Sequence, residues 1–130
     1  MTPYLALLFL IWFRANRKKT DKEGVVSGKT SSNIKISVVI PVRNESENLP
    51  ALISDLARQS LEDKFFETIF VDDGSTDGSS EIISRAAGKI PDMHLLRQEG
   101  EGKKRAIARG LQLAKGRYII TTDGDCRLRP

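Results

Sequence analysis

The sequence predicts an α/β fold built on a mostly parallel sheet, and three observations predict it. Short β-branched runs alternate with stretches whose apolar residues recur at helical spacing. Turn and capping residues bound each stretch. The order reads β-α-β-α-β-α-β with no internal sequence repeat, which argues for helices on both faces of a parallel sheet. At 130 residues the chain suits one small domain with a real core.

The front end stands apart. Pro3 to Phe13, PYLALLFLIWF, is continuously apolar and RANRKK follows at once. At ~1.5 Å per residue the run reaches about 16 Å, half of a ~30 Å hydrocarbon core, so it is too short to span alone. It lacks the basic lead and the small-residue cleavage site of a secretory signal. The basic residues behind it would hold that side in the cytoplasm. Three readings stay open: the last half of a transmembrane helix that begins upstream, an interfacial anchor, or a helix packed in a core. The abrupt basic flank favours a membrane-proximal helix over residues 1–19. Residues 20–33, TDKEGVVSGKTSSN, have the composition of a linker, and the globular part is expected over 34–130.

Within it, IKISVVIPV (Ile34–Val42) reads as a buried strand. RNES ends it. Ser46 can cap a helix with Pro50 in the first turn, where proline is tolerated. Leu49, Leu52, Ile53 and Leu56 give that helix an apolar face. ETIFVD (Glu67–Asp72) is the second strand. Asp77 can cap a second helix that carries Ile82, Ile83, Ala86 and Ala87 and closes at Gly88. MHLL (Met93–Leu96) is a short third strand. A third helix is expected from Gly102 to Lys115, with Ile107, Leu111 and Ala114 inward and Gly116 at its end. RYIITT (Arg117–Thr122) is the fourth strand.

Composition narrows the chemistry. Net charge is +4, from 21 Lys and Arg against 17 Asp and Glu. Two clusters stand out: Arg14, Arg17, Lys18 and Lys19, then Lys103, Lys104, Arg105 and Arg109. A mild basic excess suits phosphate-bearing partners or an anionic membrane surface, and equally ordinary solubilising charge. Cys126 is the single cysteine, so no internal disulfide can form. His94 is the single histidine, which leaves a zinc site or a Ser-His-Asp triad little to build on; it reads as structural.

Ligands of open α/β sheets bind beyond the carboxyl ends of the strands. That rule brings PVRNE, DDGSTD and DGDC to one edge. In VDDGSTDGS, turn and cap chemistry explains Gly74, Ser75 and Asp77. It does not explain the adjacent acids Asp72 and Asp73, which repel unless a cation or donors sit beside them. An EF-hand fails, because a loop begun at Asp73 puts Ser84 where Glu belongs. A Walker A loop fails in EGEGKKRA, because its required glycine and Ser/Thr positions hold Arg97 and Lys104. In TTDGDC, carboxylates two residues apart in a turn can both reach one hard divalent cation. The bland reading of that pattern is a simple turn.

Three blocks together, ISVVIPVRNESENLPALI, ETIFVDDGSTDGS and GKKRAIARGLQLAKGRYIITTDGDC, resemble the donor-binding half of family 2 glycosyltransferases over about Ile36 to Pro130. The nearest likeness is to membrane-anchored bacterial members that build cell-surface polysaccharide. The resemblance implies a GT-A (Rossmann-like) fold, incomplete at the C-terminus. It implies inverting, metal-dependent transfer of a sugar from a nucleotide-sugar donor, a UDP-sugar foremost, to a glycan or lipid acceptor. It also implies a bacterial inner-membrane location with the globular part cytoplasmic.

Site residues follow position by position. The Pro-x-x-Asn-Glu segment that lines the nucleotide pocket is matched by Pro41, Arg43, Asn44 and Glu45. Arg43 stands where an aromatic residue often packs on the base, and its guanidinium can stack there instead. Asp73 is implied as the base-reading carboxylate with Asp72 in support. Asp125 is implied as the principal ligand of Mg²⁺ or Mn²⁺, with Asp123 facing the ribose or the metal-bound diphosphate. Lys103 and Lys104 lie near the donor by the same likeness. The general base of the family falls after the Asp-x-Asp motif, so no catalytic base is expected before Pro130. The chain is therefore expected to be a fragment or truncated product, and the alternative function is a non-catalytic nucleotide- or metal-binding remnant. A phosphoacceptor receiver domain is disfavoured, since its acid pair belongs after the first strand, where RNE stands. Nucleic acid is disfavoured as well, because converging carboxylates repel phosphate.

Overall fold

The computed structural model describes residues 36–60 and 65–129. The helix expected over 1–19, the linker over 20–33 and the first two residues of the first strand lie outside the described residues. Among the described residues no helix is long and apolar enough to cross a membrane.

Seven elements alternate as expected: β1 (Ile36–Val42), α1 (Leu49–Ala57), β2 (Phe66–Asp73), α2 (Ser79–Arg85), β3 (Met93–Gln98), α3 (Lys103–Leu113) and β4 (Tyr118–Thr121). The strands form one sheet in the order β3-β2-β1-β4, every pairing parallel. Strand β2 is buried along its whole length, which explains its near-continuous apolar run. Strands β3 and β4 form the edges. The chain turns one way from β1 to β2 to β3, then returns through α3 to the other side of β1. The reversal makes a switch point between β1 and β4, where such sheets open a crevice.

Alternate residues of each strand feed two cores. Val38, Ile40, Val42 and Phe70 pack with Leu49, Leu52, Ile53 and Leu56 of α1 and Ile83 of α2. On the other face Val39, Ile69 and Val71 pack against Ala106 of α3. Helices thus cover both faces.

Five expectations need correction. Helix α1 is capped at Asn48 rather than Ser46, with no side-chain cap bond and Pro50 in its first turn. The Glu45 carbonyl accepts the Asn48 and Leu49 amides instead, at 3.0 and 2.9 Å. Helix α2 begins after Gly78, yet Asp77 still accepts the Ser79 amide at 3.1 Å, so the capping chemistry holds one residue off. Ala87 lies beyond that helix and is exposed.

The buried stripe of α3 is Ala106 and Gly110, with Ile107, Leu111 and Ala114 only partly buried. Small residues win here because the helix lies very close to β1. A Cβ at Gly110 would stand 2.4 Å from Val39 Cγ1. Gly116 does not close α3, which ends at Leu113. It lets the turn pass β1, since a Cβ there would stand 2.5 Å from the Ser37 amide nitrogen.

Candidate functional site

The carboxyl edge of the sheet is assembled by side chains that tie one loop to the next. Asn44, in left-handed backbone at φ 52°, donates its amide to Ser75 Oγ at 3.0 Å, and its Oδ1 accepts the Thr76 amide at 2.8 Å. Asp77 accepts the Ser46 amide at 3.0 Å and Ser79 Oγ at 2.6 Å. The Ser79 hydroxyl holds its carboxyl down at about 2, with burial opposing and the Ser46 donors adding to the effect. RNES and GSTDGS therefore form one hydrogen-bonded unit.

The adjacent acids do not face each other. Successive strand residues point to opposite sides. Asp72 turns toward α2, where Oδ1 accepts the Ser75 amide at 3.0 Å and Oδ2 accepts the Ser80 hydroxyl. Asp73 turns toward α3. Its Oδ1 accepts Gln98 Nε2 at 2.8 Å and the Glu101 amide at 2.7 Å, and its Oδ2 accepts the Gly102 amide at 3.0 Å. Arg43 Nη1 stands 3.9 Å from the same oxygen. Burial is the largest single influence on Asp73 and pushes its pKa up. The bonds from Gln98, Glu101 and Gly102 and the Arg43 charge together outweigh it, so the pKa is lowered. Asp73 is a buried anion that organises the start of α3.

Between β1 and β4 lies an open cleft of about 370 Å³, lined among others by Pro41, Arg43, Glu45, Asp73, Lys103, Asp123 and Asp125. The cleft thus gathers the anticipated site residues except Asn44, which is tied to Ser75 and Thr76 instead, Asp72, whose carboxylate points away from it, and Lys104, which is exposed outside it. Gly124 is buried between two exposed acids, and a Cβ there would stand 3.0 Å from Glu45 Cγ. The β1–α1 loop thereby sets the position of the Asp-x-Asp turn. The Cys126 amide donates to the Asp123 carbonyl at 3.2 Å, which closes that turn.

Lys103, from the first turn of α3, is ion-paired with Asp123. Both side chains are more than half exposed, so the pair adds little stability. It does show that this end of the cleft draws a cation. Asp123, Asp125 and Cys126 can each bring a ligand atom within 4.8 Å of the others. Two exposed carboxylates in an open cleft suit Mg²⁺ or Mn²⁺, which is held by few protein oxygens plus substrate phosphate and water. The donor set therefore fits the ion implied above.

Two contributors lay outside the anticipated set. Gln98 pairs with Asp73 in the β2–β3 register and extends the third strand two residues past its expected end. Its signal is that register, which needs the folded sheet. Asp55 is buried on α1 and binds Arg127, just after the Asp-x-Asp turn. A hint of it was available, because Asp55 falls on the same helix face as Leu52.

Comparison with known proteins gives the family and the fold. The model of the family described as glycosyl transferase family 2 matches residues 37–130. An undecaprenyl-phosphate 4-deoxy-4-formamido-L-arabinose transferase of Yersinia pestis (strain Pestoides F) is 43% identical over 100 residues, covering 74% of this chain and 30% of that protein. The crystal structure of S. aureus TarS 1-349 in complex with UDP-GlcNAc aligns with TM-score 0.67 and 26% identity, over 71% of this chain and 27% of that one. A mannosyltransferase from Pyrobaculum calidifontis, in complex with GDP-Man and Mn²⁺, aligns with TM-score 0.68 and 28% identity, over 72% of this chain and 28% of that one. The chain spans less than a third of the length of the curated relatives it matches.

Proposed function

The chain belongs to glycosyl transferase family 2, and from that premise we propose that its cleft binds a nucleotide-sugar donor, a UDP-sugar foremost, for metal-dependent transfer to a glycan or lipid acceptor. Its parallel sheet with interleaved helices is the GT-A arrangement of its structural neighbours. The carrying observation is the convergence of Arg43, Asp73, Lys103, Asp123 and Asp125 on one cleft at the switch point of the sheet.

In this reading the base end of the cleft is formed by Arg43 and Asp73. The Arg43 guanidinium stacks on the base, and Asp73 orders the Glu101–Gly102 turn against which it lies. Asp72 supports from behind by fixing the β2–α2 turn. Pro41 and Glu45 shape the wall next to Gly124. Lys103 exchanges its ion pair with Asp123 for a donor phosphate, as a strongly hydrated point charge on a flexible stem can do. Asp125 and Asp123 would hold Mg²⁺ or Mn²⁺, which when bound neutralises the diphosphate leaving group as a Lewis acid.

The reaction breaks the bond between the anomeric carbon and the diphosphate and forms one to an acceptor hydroxyl, with inversion. The acceptor proton goes to a general base. This chain's share is to bind and orient the donor. Attachment to a bacterial inner membrane through residues 1–19, with the globular part cytoplasmic, belongs to the same proposal. The lipid-phosphate acceptor in the name of the Yersinia relative supports it.

Calorimetric titration with UDP and GDP, each with and without Mn²⁺, tests this reading. We expect UDP to bind at least tenfold more tightly with Mn²⁺, GDP to bind more weakly, and Asp125→Ala to abolish the metal effect. Equal UDP affinity with and without metal in the unmodified chain would contradict it.

A further inference from the structure

At the opposite, amino-terminal edge of the sheet a second group converges. Glu67 is the second residue of β2, Asp92 precedes β3, and His94 is the second residue of β3. Each offers a ligand atom within 4.8 Å of the others. His94 reads as structural from the sequence; the sheet brings two carboxylates to it.

Glu67 has no accessible surface. One of its oxygens is fully used. Oε1 accepts Ser37 Oγ at 2.5 Å and the Lys115 amide at 2.6 Å. The other accepts no hydrogen bond among the described residues and has His94 Nε2 nearby, at 3.7 Å. Among the described residues neither Glu67 Oε2 nor His94 Nε2, both buried atoms, has a hydrogen-bond partner. A buried carboxylate oxygen without a donor is costly, and in a native fold it calls for a bound ion, a water or another explanation.

The separations suit an ion. His94 Nε2 stands 3.7 Å from Glu67 Oε2 and 3.0 Å from Asp92 Oδ1. Ligand atoms around a tetrahedral zinc with bonds of about 2.0–2.1 Å stand about 3.3 Å apart, between those two values. One imidazole nitrogen with two carboxylate oxygens suits zinc and its first-row neighbours, whereas Mg²⁺ and Ca²⁺ favour all-oxygen sites. The His94 and Asp92 side chains are 32% and 38% exposed, which leaves a path for the ion and a position for water. The Asp92 carbonyl accepts the Thr68 amide at 3.1 Å, so its backbone is fixed by β2.

The geometry points to a second metal site, Glu67–Asp92–His94, that takes Zn²⁺ or a similar dication. It lies on the sheet edge away from the nucleotide cleft and acts as a clip rather than in transfer. It would join β2 to the start of β3. Through Glu67 Oε1 it would also secure the α3–β4 turn, where the Gly116 amide donates to Ser37 Oγ at 2.8 Å.

The test uses the full chain with Asp123→Ala, Asp125→Ala and Cys126→Ser, which removes the ligands of the cleft. Co²⁺ and Zn²⁺ are the probes. We expect one equivalent of Co²⁺ to bind with the intense visible bands of a four-coordinate nitrogen–oxygen site. Saturating Zn²⁺ should raise Tm by about 5 °C, in line with a ligand that binds only the folded state. His94→Gln should lose both effects. Asp92→Asn should lose both as well, and this variant will fold, because Asn tolerates the left-handed backbone of Asp92 at φ 44°. Absence of stoichiometric binding, or bands and Tm shift that persist in both variants, would overturn the assignment. So would an NMR signal from a His94 imidazolium in the presence of excess Zn²⁺, which would make the group a simple ion pair.

Discussion

The Arg127 guanidinium forks onto the Asp55 carboxylate, with Nε 2.7 Å from Oδ2 and Nη2 3.1 Å from Oδ1. Asp55 also accepts the Leu128 amide at 3.0 Å and Arg58 Nη2 at 3.2 Å. The Asp-x-Asp turn is thereby anchored on both sides, by β4 before it and by α1 after it. A planar fork on a buried carboxylate fixes orientation as well as distance.

That relationship makes stability depend on acid. The Arg127 hydrogen bonds, against the opposing effect of burial and with help from Leu128 and Arg58, hold Asp55 down from 3.8 to about 2. The folded value lies below the unfolded one, so the stabilisation is complete above pH ~4 and is lost as the pH falls from about 4 to about 2. Its size is on the order of 2 kcal/mol. Asp55→Asn should lower the urea midpoint at neutral pH and flatten the fall in stability between pH 4 and 2. An unchanged acid limb would contradict the role given to the fork.

Asp73→Asn should be worse than the loss of one charge. The amide replaces one acceptor oxygen by a donor, yet three donors, from Gln98, Glu101 and Gly102, converge on the carboxylate. At least one buried donor is then unpaired, at a cost of about 1–3 kcal/mol. Denaturant unfolding should register that loss, and hydrogen exchange at Glu101 and Gly102 should quicken.

Lys103→Ala separates binding from stability. Its ion pair with Asp123 is exposed, so unfolding free energy should change by less than about 0.5 kcal/mol. A charge-assisted bond to a donor phosphate is worth about 1.5–3 kcal/mol. UDP affinity in the presence of Mn²⁺ should therefore fall roughly tenfold or more. Unchanged affinity would remove Lys103 from the donor site.

Gly110→Ala sets two effects against each other. Helix propensity favours Ala by about 1 kcal/mol. Against it, the new methyl would stand 2.4 Å from Val39 Cγ1 and 3.3 Å from Val71 Cγ2 in a packed core. Overpacking of this kind costs about 1–3 kcal/mol, so the steric term should win and Tm should drop. Ala108→Gly, on the exposed side of the same helix, should lose about 1 kcal/mol by propensity alone and serves as the comparison.

Much of this architecture is legible in the chain because it rests on local pattern. The β-branched runs around Val39 and Phe70 declare strands, and Leu49, Leu52, Ile53 and Leu56 declare the inner face of α1. The rule that ligands meet the carboxyl ends of strands then collects Arg43, Asp73, Asp123 and Asp125 at one edge without coordinates. What escapes depends on pairing across the fold. Gln98 matters because the register sets it beside Asp73. Glu67 reads as an ordinary polar residue in a strand until Ser37, Lys115 and His94 surround it. The phase of α3 misleads because its nearest approach is made by Ala106 and Gly110, whereas a hydrophobic pattern gives weight to Ile107 and Leu111.

Donor binding in the β1–β4 cleft is tested most directly by anomalous diffraction from crystals of the chain grown with UDP and Mn²⁺. A manganese peak is expected within bonding distance of the Asp125 carboxylate. The diphosphate should lie beside it, Lys103 should have turned from Asp123 to a phosphate oxygen, and the base should rest against Arg43 near Asp73. A nucleotide bound away from the β1–β4 cleft, or a manganese peak with no bond to Asp123 or Asp125, would contradict it.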